Sequence, residues 1–157
     1  MIKSKIVEQK NIENLINKLK SENKKTVFTN GCFDILHVGH VRYLSESKRC
    51  GDILIVGLNS DNSVKRLKGE SRPVNNQNDR AEVLAALEVV DYVTIFEEDT
   101  PEILLGKIKP DVYTKGADYT LDTLPEAHVV MNNGGRVEFI NLVKGKSTTN
   151  LINSIKK

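Results

Sequence analysis

The sequence predicts an α/β domain in which helices cover both faces of a doubly wound, five-stranded, mostly parallel sheet, with residues 1–157 forming one unit. Three observations carry this prediction. Short β-prone bursts and amphipathic helical stretches alternate from end to end, without repeat or linker. One burst, Asp52–Leu58 (DILIVGL), is apolar throughout, as in a strand buried on both faces. Turn-forming pairs and triplets (Asn30-Gly31, Cys50-Gly51, Asn133-Gly134-Gly135) stand where one element gives way to the next.

Taken in order, residues 1–25 supply an N-terminal helix leading into the domain. Ile12, Leu15, Ile16 and Leu19 recur at the 3.6-residue period of an amphipathic helix over 9–22. Thr26–Thr29 is the first strand, stopped by Asn30-Gly31. A helix starting near His37 carries Val41, Leu44 and the stem of Lys48 along one face and closes at Cys50-Gly51. Asp52–Leu58 is the second strand. From Asn59 to Asn78 the chain is polar, contains Gly69, Pro73 and several basic residues, and reads as a long loop.

Alanine and leucine make Asp79–Val89 a strong helix, followed by a third strand at Asp91–Phe96. Thr100-Pro101-Glu102 reads as an N-cap and a first-turn proline, opening a helix to about Lys109. Asp111–Thr114 is the fourth strand, Lys115–Thr120 a loop, and Pro125 to about Asn132 a helix. Arg136–Leu142 is the fifth strand, and Ser147 caps a final helix that keeps its spacing from Thr148 to Ile155. Tyr92, Tyr113 and Phe139 fall in strands and are expected in the core.

Composition excludes several classes. Hydrophobic residues at 39% and charged residues at 28% are ordinary for a globular chain, and a net charge of +2 is too small to argue for nucleic acid or an anionic membrane surface. No apolar run approaches the roughly 20 residues of a membrane span. The opening MIKSKIVEQKNIENLINKLK lacks the apolar centre of a secretory signal, so a cytoplasmic location is expected. Cys32 and Cys50 have neither metal-ligand nor redox spacing and are read as free thiols; Cys32 is a packing residue, because nothing supplies it with a base.

Doubly wound sheets bind ligands at the carboxyl ends of their strands. The loops after strands one, two, four and five therefore face a common edge. They hold His37 and His40, Lys68 to Arg72, Lys115 to Tyr119, and Lys144 to Thr149. Gly31 allows a tight strand-to-helix turn, and Gly39 lets backbone approach a ligand. The helix near His37 turns free N–H groups and its positive dipole end toward an anion. His37 and His40 share one face of that first turn, where two imidazoles can donate to phosphate oxygens. Helix capping or core packing is the alternative for these histidines. A zinc site would need a third ligand, and only His128 remains, on a late helix without ligand spacing; no metal is expected on protein side chains. Arg80 stands at a helix start and either bonds Asp79 or a carbonyl, or reaches a nucleotide. Glu97, Glu98 and Asp99 read as a solvated run before a helix.

The stretch GCFDILHVGHVRYL resembles the signature of the HxGH nucleotidyltransferase superfamily, the cytidylyltransferase-like branch of Rossmann-like folds. KGESRPVNNQNDRAEVLAALEVVDYVTIFEEDTP, KPDVYTKGADY and GKSTTNLI follow in family order, so the resemblance covers about Thr26 to Ile155. It is closest to the adenylyltransferase domain that makes ADP-heptose from D-glycero-β-D-manno-heptose 1-phosphate for lipopolysaccharide or other cell-surface heptose. That domain is often fused to a sugar kinase, and the resemblance here is to the transferase part, which is expected to stand alone. The resemblance implies ATP as co-substrate, Mg2+ bound with the nucleotide phosphates, a sugar phosphate as the other small-molecule substrate, and a homodimer as the common assembly. It implies that His37, His40, Lys68 and Lys115 are catalytic. Asn30, Gly31, Cys32 and Phe33 would hug the nucleotide, with Asp34 holding the turn and Gly39 beneath the phosphates. Lys68 would reach phosphate oxygens with Arg72 beside it. Lys115, Gly116 and Asp118 would wall the nucleotide, and Ser147, Thr148 and Thr149 would bind the β- and γ-phosphates.

Two departures stand out. Related glycerol-phosphate cytidylyltransferases place arginine and glutamate where this chain has Leu142 and Lys144, leaving Lys144 or Lys146 as substitute cations. Ala117 stands where the heptose branch often has glycine, which matters only if that position needs a positive φ. GTP with a related heptose phosphate and CTP with glycerol 3-phosphate are the sister readings. A nucleotide-binding regulatory module that has lost catalysis is the non-enzyme alternative.

Overall fold

In the computed structural model, which describes residues 1–156, β1 (Thr26–Gly31), β2 (Ile53–Asn59), β3 (Tyr92–Phe96), β4 (Val112–Gly116) and β5 (Arg136–Ile140) form one sheet in the order β3-β2-β1-β4-β5. Every pairing is parallel. The order reverses between β1 and β4, which opens a crevice at their carboxyl ends. Successive residues point to opposite faces. Phe28, Ile55, Phe96 and Tyr113 pack on one side beneath α1 (Gln9–Ser21), α5 (Glu102–Ile108) and α6 (Ala127–Asn132). Val27, Leu54, Val56 and Val112 pack on the other with Leu44 of α2 (Val38–Lys48) and Leu84 of α4 (Gln77–Ala85). Each fully buried aliphatic side chain of this kind contributes about 1.5–3 kcal/mol relative to exposure. The outer edge of β3 is covered by the N-terminal segment, where Val7 N–H donates to Val93 O at 2.8 Å.

The chain departs from the sequence expectation in several places, including two element ends: α4 stops at Ala85 rather than Val89, and β5 at Ile140 rather than Leu142. Within the stretch expected to be a loop, Asp61–Lys68 is a helix, α3. It docks through hydroxyls: Ser60 Oγ caps it by accepting from Ser63 N–H at 3.1 Å, and Ser63 Oγ donates to Glu98 O at 2.9 Å. With Val64 its one buried aliphatic residue, it carries no apolar period to read. Val41 is exposed, because α2 meets the sheet through Leu44 and Ser47, and Ser47 Oγ bonds Thr114 Oγ1 at 2.8 Å. Pro101, not Thr100, occupies the N-cap position of α5. Lys115 lies inside β4 rather than in the following loop. Phe139 and Tyr92 are partly buried against the core, while Tyr113 is fully buried. Ser147 caps α7 (Thr148–Lys156), accepting from Asn150 N–H at 3.0 Å.

Arg80, at the start of α4, is 2% exposed. Its Nη1 donates to Cys32 O and Asn59 O at 2.8 Å each, its Nε to Asn75 O at 2.9 Å, and its Nη2 to Asp61 Oδ1 at 2.8 Å. The guanidinium is thus consumed in joining the β1–α2 turn, the end of β2, the start of α3 and the α3–α4 loop. A planar fork with five N–H donors serves four acceptors far better than an ammonium with three does. Arg80→Met is expected to lower stability by about 3 kcal/mol, since it strips buried acceptors of their donors. Urea unfolding measures this, and Arg80→Lys should recover less than half of the loss.

Candidate active site

The residues assigned catalytic or nucleotide-binding roles, from Asn30 to Thr149, line one cavity of about 580 Å³ at the carboxyl edge of the sheet, whereas Arg80 and Lys144 do not. That size suits a nucleotide-scale ligand. The loop after β3 also reaches it, through Asp99, Thr100 and Pro101, so all five strand ends contribute.

His37 is the N-cap of α2. Its Nδ1 accepts from Gly39 N–H at 3.1 Å, and its own backbone N–H donates to Nδ1 of His40 at 3.4 Å. The rings stack with centroids 3.9 Å apart. Since both Nδ1 atoms accept, each neutral ring carries its proton on Nε2. Burial pushes the His40 imidazole down to about 4, with His37 adding to the shift; burial and then Lys146 lower His37. Two adjacent neutral rings therefore present Nε2–H donors, and His37 Nε2 is buried without a partner among the described residues. A Cβ on Gly39 would lie 2.8 Å from His37 Cε1, so only glycine leaves room for the stack.

Phe33 closes the other side of His40, its ring 5.3 Å away, from a left-handed backbone with φ of 43°. Asp34, 2% exposed, accepts from Arg72 Nε at 2.7 Å and from the N–H groups of Val74 and Asn75 at 2.9 and 3.0 Å. These hydrogen bonds outweigh desolvation, the largest single influence, and hold its carboxyl below the usual range. Asp34 thus fastens the α3–α4 loop to the turn, and the Nε of Arg72 is committed to it.

Lys115 is held below its ordinary basicity by burial, partly offset by Glu126 and Asp118. Its Nζ lies 4.7 Å from the centre of the Tyr119 ring. Among the described residues no carboxylate lies within ion-pair distance of Lys115 or Lys68, so both charges face the cavity without a partner. Lys146 joins them there, while Lys144 does not line the cavity. Thr148 Oγ1 donates to Ile35 O at 3.2 Å and brings the start of α7 to the β1–α2 turn. Ala117 has no positive φ, so the alanine fits its position.

The sequence reading missed Tyr43, Glu126 and the Asp99–Pro101 loop. Tyr43 lies one turn beyond His40, and its hydroxyl bonds Thr29 Oγ1 at 2.7 Å. Glu126 sits beside a helix start that reads as ordinary capping. Cys32 lines the cavity with its thiol pushed up by burial, which leaves it a poor nucleophile. Among the described residues no cluster of three or more His, Cys, Asp or Glu is placed to hold a metal ion.

A parallel sheet with this switch point, a histidine-capped helix at its first crossover and unpaired lysines around the cavity define an anion-binding domain of the nucleotide-binding α/β class. The sequence model of the cytidylyltransferase-like family matches residues 28–153, and the chain belongs to that family. It is 59% identical over 133 residues to the bifunctional protein HldE of Campylobacter fetus, covering 85% of this chain and 28% of that protein. To the HldE of Syntrophotalea carbinolica it is 50% identical over 152 residues, 97% of this chain and 31% of the relative. The chain thus spans about a third of these relatives. Among solved structures, the lipopolysaccharide core biosynthesis protein of Thermoplasma volcanium superposes with a TM-score of 0.64 at 32% identity, over 78% of this chain and 99% of that one. A pantoate-beta-alanine ligase from Francisella tularensis, at 17% identity and a TM-score of 0.62 over 96% of this chain and 76% of its own, shares the fold.

The histidine geometry has a measurable signature. Nitrogen NMR at pH 7 should show His37 and His40 neutral and protonated on Nε2, with His40 titrating near 4 against about 6.5 in an unfolded chain. Between those values the unfolded state binds more protons, so the stability that neutral His40 contributes is complete above pH 6.5 and is lost as pH falls toward 4. Gly39→Ala should break the stack and return the His40 midpoint toward 6.5.

Proposed function

We propose that this chain moves AMP from ATP to D-glycero-β-D-manno-heptose 1-phosphate, giving ADP-heptose and pyrophosphate. The observation that carries the reaction type is the stacked His37–His40 pair, whose Nε2–H donors lie in a cavity with unpaired lysines and no activated nucleophile. The choice of sugar rests on the 50–59% identity to bifunctional HldE proteins and on the resemblance of the KGADY and GKSTT segments.

A sugar phosphate oxygen attacks the α-phosphorus of ATP. The new P–O bond forms as the bond to the β-phosphate breaks, and pyrophosphate leaves with that electron pair. The attacking group is already anionic, so the protein has no proton to remove; it must align two anions and hold charge on the equatorial oxygens. His37 and His40 donate to the α-phosphate as that charge grows. Lys68 and Lys115 offset repulsion between the partners, and the N–H groups at the start of α7 with the hydroxyls of Ser147 and Thr149 hold the departing pyrophosphate, the Thr148 hydroxyl being given to Ile35 O. Cavity carboxylates fit a magnesium ion only as adjuncts to phosphate and water ligands, since Asp34 is consumed by Arg72 and the α3–α4 loop. Such an ion, when bound, neutralises the β- and γ-phosphates. We place the reaction in the cytoplasm, where ATP is available; no helix among the described residues is long and apolar enough to cross a membrane.

The test is pyrophosphate release with Mg2+, each of the four NTPs and a panel of sugar 1-phosphates and glycerol 3-phosphate. ATP with the heptose compound should exceed every other pair by at least about tenfold. Release with no pair would remove the enzyme reading, and release only with CTP and glycerol 3-phosphate would replace the substrates. His40→Ala should lower kcat by about 10²–10³ while circular dichroism stays native; an unfolded variant would point instead to a purely structural histidine.

A further inference from the structure

The floor of the cavity, under β1 and β4, differs chemically from the rim. Glu126 is 6% exposed yet lines the cavity, and it ion-pairs with no cation among the described residues. Its Oε1 lies 3.0 Å from the hydroxyl of fully buried Tyr113, which also lies 2.6 Å from the side-chain oxygen of Asn30. Burial, reinforced by Glu126, raises the Tyr113 phenol, so the hydroxyl keeps its proton. One phenolic proton serves one acceptor. Given to Glu126, it leaves the Asn30 oxygen in need of a donor; given to Asn30, it leaves Glu126 Oε1 in need of one. Turning the Asn30 amide to donate to Tyr113 only moves its oxygen to another position that needs a donor. Glu126 Oε2 makes no protein hydrogen bond among the described residues, and of Glu126 Oε1 and the Asn30 oxygen one lacks the Tyr113 proton, so the floor keeps carboxylate and amide oxygens free to accept. The rim is the reverse: imidazole N–H groups and ammonium groups without acceptors.

A ligand that satisfies both ends carries phosphate at one and hydroxyls at the other. We propose that Glu126 and Asn30 are specificity-determining acceptors for hydroxyls of a sugar ring whose phosphate lies against Lys115 and the histidines. The inference rests on the nucleotidyl-transfer reading, since the ring belongs to one of that reaction's two sugars, the nucleotide ribose or the acceptor. Buried acceptors tuned to a hydroxyl reject an analogue that lacks it, because their desolvation is then uncompensated.

Calorimetric binding to wild type, Glu126→Gln and Asn30→Ala tests this with ATP, 2′-deoxy-ATP and 3′-deoxy-ATP, and with the heptose 1-phosphate and its 2-deoxy counterpart. Wild type should prefer the hydroxylated member of one series by at least about tenfold, and Glu126→Gln should reduce that preference to within about twofold. A preference in the ATP series assigns the ring to ribose, and one in the sugar series to the acceptor. Wild type indifferent in both series overturns the proposal, as does a folded Glu126→Gln that keeps full preference. Should Glu126→Gln fail to fold, Asn30→Ala decides in the same way. Pyrophosphate release by wild type, followed in parallel, separates the two readings. Turnover without hydroxyl preference removes the floor and keeps the transfer reaction; preference without turnover does the opposite.

Discussion

The Arg80 guanidinium ties together loops that have no apolar reason to meet. Cys32 O, Asn59 O and Asn75 O belong to three separate segments, and each is held at 2.8–2.9 Å by one side chain. Asp34 performs the complementary task from the β1–α2 turn, gathering Arg72, Val74 and Asn75 by accepting from them. One buried cation and one buried anion thus lock the same loops from opposite sides. Hydrogen bonds to charged groups contribute about 1.5–3 kcal/mol each, enough to sustain a left-handed Phe33 at the junction. The β1–α2 turn is therefore held by the protein's own bonds.

That rigidity passes to α2 through hydroxyls. Tyr43 and Ser47 join Thr29 and Thr114 of the two strands at the switch point, so the helix is keyed in rotation as well as seated by Leu44. Apolar packing alone would tolerate a small roll of α2, whereas directional bonds one and two turns beyond His40 do not. The histidines inherit that register. Above them the cavity offers donors and positive charge; below, Tyr113, Asn30 and Glu126 offer oxygen. A pocket polarised in this way would, on the proposed reading, orient a phosphorylated sugar before it fixes its identity.

Much of this was legible in the sequence, and the illegible parts share a cause. The order of strands and helices followed from apolar period and turn residues, and the nominated residues gather at one edge because parallel topology sends every βα loop there. Asp61–Lys68 was read as loop because its anchors are Ser60, Asn59 and Ser63, which leave no hydrophobic trace. Its capping serine, first-turn Asp61, basic last turn and Gly69 were available as signals. For Arg80 the sequence offered Asp79, a carbonyl or a nucleotide as partner; it is carbonyls that it bonds, and which ones was illegible because they are distant in sequence. Glu126 escaped for the same reason: its significance lies in Tyr113 and Asn30, which only the β1–β4 pairing brings together. Hydrophobic pattern reports elements; polar tertiary bonds become visible once the elements are assembled.

The stacked histidines raise a last physical point, about why they are neutral. Two imidazolium ions with centroids 3.9 Å apart would repel strongly in a partly desolvated site, and the reciprocal backbone bonds would be lost, since a protonated Nδ1 cannot accept. Neutrality is therefore a condition of the geometry. It also suits a reaction in which charge moves among phosphate oxygens and no proton changes hands. The amines of Lys68, Lys115 and Lys146 line the same cavity, and in the proposed reaction they offset anionic substrates without crowding the reacting centre. In that proposed reaction the histidines supply direction, two fixed N–H dipoles that need no reorganisation as the α-phosphate gains its fifth ligand.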